Sequence, residues 1–229
     1  MTLADSQTLT IDVDGSTQVP GLLQRAPHAH ALFVLAHGAG AGMHHEFLAD
    51  MARGLAELGI ATLRYEFPYM ARRSRRPDPP PLCHATVRAA VAAGGKLAPS
   101  LPLLAGGKSF GGRMTSQAQA SNPLTRVQGL VFLGFPLHPP QEPSASRGAH
   151  LQRIEVPMLF LQGTRDEFAT APYLSPLLET LGARAQLVSL MGADHSFHVP
   201  ARSGRSDAQV RDEMLAAIAA FSRALTKAS

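Results

Sequence analysis

Residues 101–112 read Leu101-Pro102-Leu103-Leu104-Ala105-Gly106-Gly107-Lys108-Ser109-Phe110-Gly111-Gly112. The apolar run 101–105 suits a strand, and the residues from roughly 110 to 120 suit a helix. Between them Gly107-Lys108-Ser109-Phe110-Gly111 is a G-x-S-x-G match in its required strand-to-helix context. A turn this sharp leaves no room for side chains two positions either side of Ser109. It lifts the serine hydroxyl above the sheet. It also aims the positive end of the helix, and the N–H of Phe110, at any oxyanion that forms there. The competing reading is a Gly-rich turn that holds a phosphate or merely reverses the chain. Gly-Lys-Ser is present, but no glycine stands five positions before Gly107, so the phosphate-binding loop pattern is absent.

Outward from this turn the chain alternates strand and helix. Ala31–Ala36 is apolar throughout and reads as a strand buried on both faces, as in a parallel sheet. Residues 43–58 have helical spacing, with Phe47, Leu48, Met51, Leu55 and Leu58 on one side and Gly59 as the stop. Ile60–Tyr65 is the next strand, and the Ala-rich 82–97 the next helix. Further strands are expected at 130–133 (with 127–129 leading in), 158–161 and 186–190. Helices are expected near 147–153, at 172–181 and at 207–225, where Val210, Met214, Ile218 and Phe221 form a stripe. Residues 8–13 and 19–24 form an antiparallel edge hairpin. This order predicts an α/β fold: a mostly parallel twisted sheet of about seven to eight strands with helices on both faces. One domain, 1–229, is expected, with its ligand site beyond the carboxyl ends of the strands. Residues 77–81 (PDPPP) read as a stiff loop.

Composition narrows the function classes. Hydrophobic residues are 45% and charged residues 17% of the 229, enough apolar matter for a real core. Cys83 is the only cysteine, so no intrachain disulfide is possible. The first ten residues lack the basic and apolar regions of a signal peptide, and no apolar stretch is long enough to span a bilayer. The expectation is a cytoplasmic protein with no membrane partner. The net charge of +4 comes mostly from scattered arginines, with one run at 72–76. No nucleic-acid-binding motif accompanies them, and no nucleic-acid partner is expected.

A serine nucleophile needs a base, and the base needs an orienting carboxylate. Asp166 follows the strand at 158–161, and His195 follows the last strand, so both lie on the edge where Ser109 must be. The order Ser, acid, His is that of the α/β-hydrolase arrangement. Glu167 is an alternative acid and His198 an alternative base. Asp194 reads as a loop cap, and His44 and His45 as the first turn of a helix. The loop after Ala31–Ala36, His37-Gly38-Ala39-Gly40-Ala41-Gly42, would supply the second oxyanion donor, Ala39 first and Gly40 second. His37 reads as a packing residue that holds this loop. A dinucleotide loop is the alternative for the segment. However, its glycines alternate strictly, and no acid ends the following strand, where Arg64 and Tyr65 precede Glu66.

The segments AHGAGAGM, RYEFPYM, GGKSFGGRM, LGFPLHPP, LQGTRDEF and GADHSF resemble a small predicted-hydrolase branch of the α/β-hydrolase superfamily, related to dienelactone hydrolases. The resemblance runs from about Ala31 to Phe221. It implies a Ser109–Asp166–His195 triad and a core domain without a cap. No cofactor or metal is expected. Dienelactone hydrolases use a cysteine nucleophile, whereas here the position is Ser109. Cys83 reads as a small buried hydrophobe. The expected function is hydrolysis of a small acyl ester or thioester through an acyl-enzyme, by a monomer or homodimer. The alternative is a non-catalytic interaction or scaffold protein on the same fold. About two dozen residues separate the strands at 130–133 and 158–161, too few for a lid, so an open site is expected. Arg72 and Arg73 are candidate contacts to an anionic acyl group, the competing reading being a solvated loop. Lys108 is a candidate substrate contact or a partner of loop carbonyls.

Overall fold

The computed structural model describes residues 6–227; the reading of the first ten residues falls partly outside them. Eight strands form one sheet: β1 Ser6–Asp12, β2 Gln18–Gln24, β3 Ala31–Ala36, β4 Ile60–Tyr65, β5 Leu103–Lys108, β6 Val127–Leu133, β7 Met158–Gly163 and β8 Ala185–Leu190. Their order is β1-β2-β4-β3-β5-β6-β7-β8. β1 pairs antiparallel with β2, and β2 with β4, while every other neighbour is parallel. β3, β4 and β7 are buried at every position, because helices cover both faces.

The helices are α1 Glu46–Glu57, α2 Pro68–Ala71, α3 Pro80–Leu97, α4 Phe110–Ser121, α5 Ala171–Leu181 and α6 Asp207–Lys227. One core layer packs α3 and α4 on one face of the sheet through Val87, Val91, Met114 and Ala118. The other packs α1 and α6 on the opposite face through Leu48, Met51, Leu55, Val210, Met214, Ile218 and Phe221. All four side chains of the α6 stripe are buried. Full burial of such a side chain stabilises by about 1.5–3 kcal/mol.

Boundaries moved where local chemistry overrode periodicity. β5 starts two residues later than its apolar run and continues through Gly106 and Gly107 to Lys108. A Cβ on Gly106 would lie 1.9 Å from Val131 O, so the glycines belong to the strand because neighbouring strands press on it. α1 starts at Glu46 rather than 43: His45 is its N-cap, its side chain accepting from Phe47 N–H. Pro80 and Pro81 open α3 instead of lying in a loop, since a first helical turn needs no N–H bond. The short α2 has no apolar period and was invisible in the pattern.

Between β6 and β7 lies only a 3-10 segment, Ser146–Arg153, so there is no cap domain. Among the described residues no helix is long and apolar enough to cross a membrane.

Candidate active site

Ser109 lies between β5 and α4 at φ 48 and ψ −112. For a residue with a Cβ such strain costs of order 1–3 kcal/mol, and it persists only where the surroundings enforce it. Here they do. A Cβ on Gly107 would sit 2.3 Å from Ala36 O, and one on Gly111 would sit 2.5 Å from His37 O. β3 and its outgoing loop therefore press directly on both sides of the turn.

Ser109 Oγ is 2.9 Å from His195 Nε2, and His195 Nδ1 is 2.8 Å from Asp166 Oδ2. Residues from three separate strand ends thus form one hydrogen-bonded chain. Asp166 has a fully buried side chain, while that of His195 is 22% exposed. The carboxylate accepts two further bonds, from Gln162 Nε2 to Oδ2 at 2.5 Å and from Phe168 N–H to Oδ1 at 2.8 Å. Gln162 is fixed in turn because its Oε1 accepts Phe135 N–H at 2.9 Å. With every neighbour of Asp166 a donor, His195 must present Nδ1–H to it. Nε2 is then free to accept the Ser109 proton. The Phe168 ring lies 4.3 Å from the imidazole and limits its swing.

Lys108 Nζ donates to His195 O at 2.6 Å and lies 4.9 Å from the centre of the Phe197 ring. Burial pushes its pKa down to about 8, against the opposing pull of Asp166 and Asp194. Gly134, at φ 70, stands between these groups: a Cβ there would be 3.2 Å from Lys108 Nζ and 3.5 Å from both Asp166 Oδ2 and His195 Cε1.

The glycine loop after β3 faces the start of α4. Phe110 N–H is the first of that helix and has no intrahelical acceptor. Ala39 is exposed, and no partner for its N–H exists among the described residues. Gly40 N–H donates to Tyr69 Oη at 3.3 Å, which leaves Ala39 the freer donor of the two. His37 is fully buried: its Nδ1 lies 2.7 Å from Gly38 O, and its Nε2 accepts Phe67 N–H at 3.0 Å. Glu66 Oε1 accepts Met43 N–H at 2.9 Å and ties down the far end of the loop.

The alternatives fall elsewhere. Glu167 is exposed, and His198 Nδ1 pairs with Asp207 Oδ2 at 2.9 Å. Asp194 Oδ1 accepts the N–H groups of Ser196 and His198, closing the loop that carries His195. Arg72 is ion-paired with Asp78, whose other oxygen accepts Tyr69 N–H at 2.6 Å. Arg73 follows at φ 58 on the exposed surface. Cys83 is buried, as read from the sequence.

Sequence reading missed Gln162, Glu66 and Gly134. A glutamine in the otherwise apolar MLFLQG, and a glutamate in RYEFPY, were the available signals: a polar group in a buried run must have a partner. Gly134 carried no signal apart from its place after β6.

Residues 29–223 match the protein family described as alpha/beta hydrolase domain. Solved structures share the architecture. An α/β serine hydrolase without a lid, from Xanthomonas campestris, is 22% identical, with a TM-score of 0.74 over 95% of each chain. A serine hydrolase homologue from Coxiella burnetii is 19% identical, with a TM-score of 0.74 over 91% of this chain and 95% of that one. A dienelactone hydrolase from Anabaena variabilis is 22% identical, with a TM-score of 0.72 over 93% of this chain and 96% of the other.

Proposed function

Since this chain belongs to the alpha/beta hydrolase domain family, we propose that it is a serine hydrolase cleaving a small acyl ester or thioester through Ser109, His195 and Asp166. The observation that carries this reading is the continuous hydrogen-bonded chain from Ser109 Oγ through both imidazole nitrogens to Asp166, at 2.9 and 2.8 Å. The strained elbow supports it, since backbone strain of this kind clusters at active sites.

In this mechanism His195 Nε2 takes the Ser109 proton as Oγ attacks the acyl carbon. Asp166, held by Gln162 and Phe168, keeps the imidazole in the correct tautomer and stabilises the imidazolium. The N–H groups of Phe110 and Ala39 receive the oxyanion, and loss of one such donor costs about 10²–10³ in rate. His195 then protonates the departing alkoxide or thiolate. Water, deprotonated by the same nitrogen, releases the acid and regenerates Ser109. The absence of a cap between β6 and β7 favours substrates that need no enclosing lid.

The test is labelling by a fluorophosphonate, read by intact mass. Wild type should gain one phosphonyl adduct, and folded Ser109→Ala none. A folded wild type that gains none would favour the non-catalytic scaffold. A panel of 4-nitrophenyl esters and thioesters of graded chain length then defines the acyl group.

A further inference from the structure

We propose that Lys108 is a positioning residue: its ammonium latches the loop carrying His195 onto the nucleophile elbow. The proposal rests on the serine-hydrolase reading above. Asp166 fixes the imidazole at its Nδ1 edge, but that does not place the backbone from which the imidazole hangs. Residues 191–200 contain no helix or strand. Asp194 closes the loop on itself through the N–H groups of Ser196 and His198, and Ala193 O and Gly192 N–H hold it to Arg165 N–H and Thr164 Oγ1 after β7, but none of these bonds ties it to the turn that carries Ser109.

Lys108 supplies that tie. It is the residue directly before Ser109, and it donates to the carbonyl of His195 itself, across 87 positions of sequence, at 2.6 Å. One side chain therefore links the backbone of the nucleophile to the backbone of its base. Gly38 lies alongside the Lys108 stem, close enough that an added Cβ would be 3.4 Å from its Cγ. The titratable groups that face the ammonium are Asp166, after β7, and Asp194 and His195, after β8. The Phe197 ring covers it. Gly134 has φ 70, and a Cβ there would crowd Lys108 Nζ at 3.2 Å, in the space shared by ammonium, carboxylate and imidazole. An ammonium-to-carbonyl bond is stronger than its neutral counterpart. A misplacement of about 1 Å at a reacting group can cost of order 10² in rate. The latch should therefore weaken when Lys108 loses its proton, and burial has brought that event down to about pH 8.

The experiment compares wild type, Lys108→Met and Lys108→Arg. It measures kcat and KM for 4-nitrophenyl acetate from pH 6 to 9.5, and amide hydrogen exchange across residues 193–199. In wild type, kcat should decline above about pH 8. Lys108→Met should lose roughly 10–10² in kcat at pH 7, with KM changed by less than about threefold, and should show no decline at pH 8. Lys108→Arg should move the decline to higher pH, because a guanidinium keeps its charge. Exchange across 193–199 should rise in Lys108→Met. A merely structural lysine would lower kcat without removing the decline, and that result overturns the proposal. So does unchanged exchange in folded Lys108→Met. If Lys108→Met does not fold, the shift in Lys108→Arg decides. If wild type neither turns over ester nor takes the phosphonyl label, it is the hydrolase reading that fails, and the exchange measurement alone decides the latch.

Discussion

Replacing Gln162 tests how far the acid depends on its buried amide. In Gln162→Leu two interactions go together. The carboxylate of Asp166 loses a donor at 2.5 Å, a charge-assisted bond of about 1.5–3 kcal/mol. Phe135 N–H, held at 2.9 Å, loses its acceptor inside the core, a desolvation cost of about 1–3 kcal/mol. The added apolar burial offsets part of this, so a net loss of about 3 kcal/mol is expected, or about 6–12 °C in Tm for a chain of this size. Gln162→Glu separates the two effects. It keeps an acceptor for Phe135 but brings a second carboxyl against Asp166. Two like charges about 3 Å apart repel by about 5 kcal/mol at an effective dielectric constant of 20, so the pair must hold a proton between them at neutral pH. Asp166 then shares its charge, and kcat/KM should fall by roughly 10–10² while Tm falls less than in Gln162→Leu. The assays are 4-nitrophenyl ester hydrolysis and thermal unfolding on the same preparations. Wild-type kcat/KM in both variants, with Tm lowered, would refute the reasoning and make Gln162 a packing residue.

Asp166→Asn should cost about 10⁴ in kcat with little change in KM, because every group around that carboxyl is a donor and the new amide forces the wrong imidazole tautomer; ester kinetics check it. Gly107→Ala should give little folded protein on expression, since its Cβ would stand 2.3 Å from Ala36 O, a backbone atom that cannot swing aside. Arg72→Ala/Arg73→Ala should lower kcat/KM for neutral and anionic esters alike. Arg72 holds Asp78, Asp78 holds Tyr69 N–H, and Tyr69 Oη holds Gly40 N–H in the glycine loop after β3; an effect confined to anionic esters would favour the substrate-contact reading. Stability should also respond to Lys108. Its folded pKa is depressed, so between about pH 8 and the ordinary lysine value near 10.5 the unfolded chain binds more protons, and stability rises with pH. Urea unfolding at pH 7 and 9 should show wild type gaining on Lys108→Met, opposite in direction to the activity.

The sheet was legible because parallel strands buried on both faces leave apolar runs that few other structures produce, as in Ala31–Ala36 and Ile60–Tyr65. The strained turn at Ser109 was legible because one sharp turn demands glycines on both sides of it. That Asp166 and His195 meet it on the same edge of the sheet followed from chain order and strand ends. What stayed hidden depends on contacts between distant segments. The partner of Gln162 is Phe135, and the partner of Lys108 is His195; neither pairing leaves a local pattern. The sequence ranked Ala39 before Gly40 but offered no sign that Tyr69, in a helix with no periodic signal, takes the N–H of Gly40.

The connection between β6 and β7 has a division of labour along its length. Its first residues are pinned: Gly134 N–H to Leu161 O, Phe135 N–H to Gln162, and His138 N–H to Phe168 O. Residues 141–143 and 145–146 are exposed. Doubling the length of a flexible loop costs only about 0.6 kcal/mol in closure entropy. New chain grafted at 141–146 would enter an exposed stretch without disturbing Gly134 or the bond from Gln162 to Asp166. The connection therefore separates a stretch that tolerates insertion from the residues that hold Asp166, and a designer could lengthen the first while leaving the second untouched.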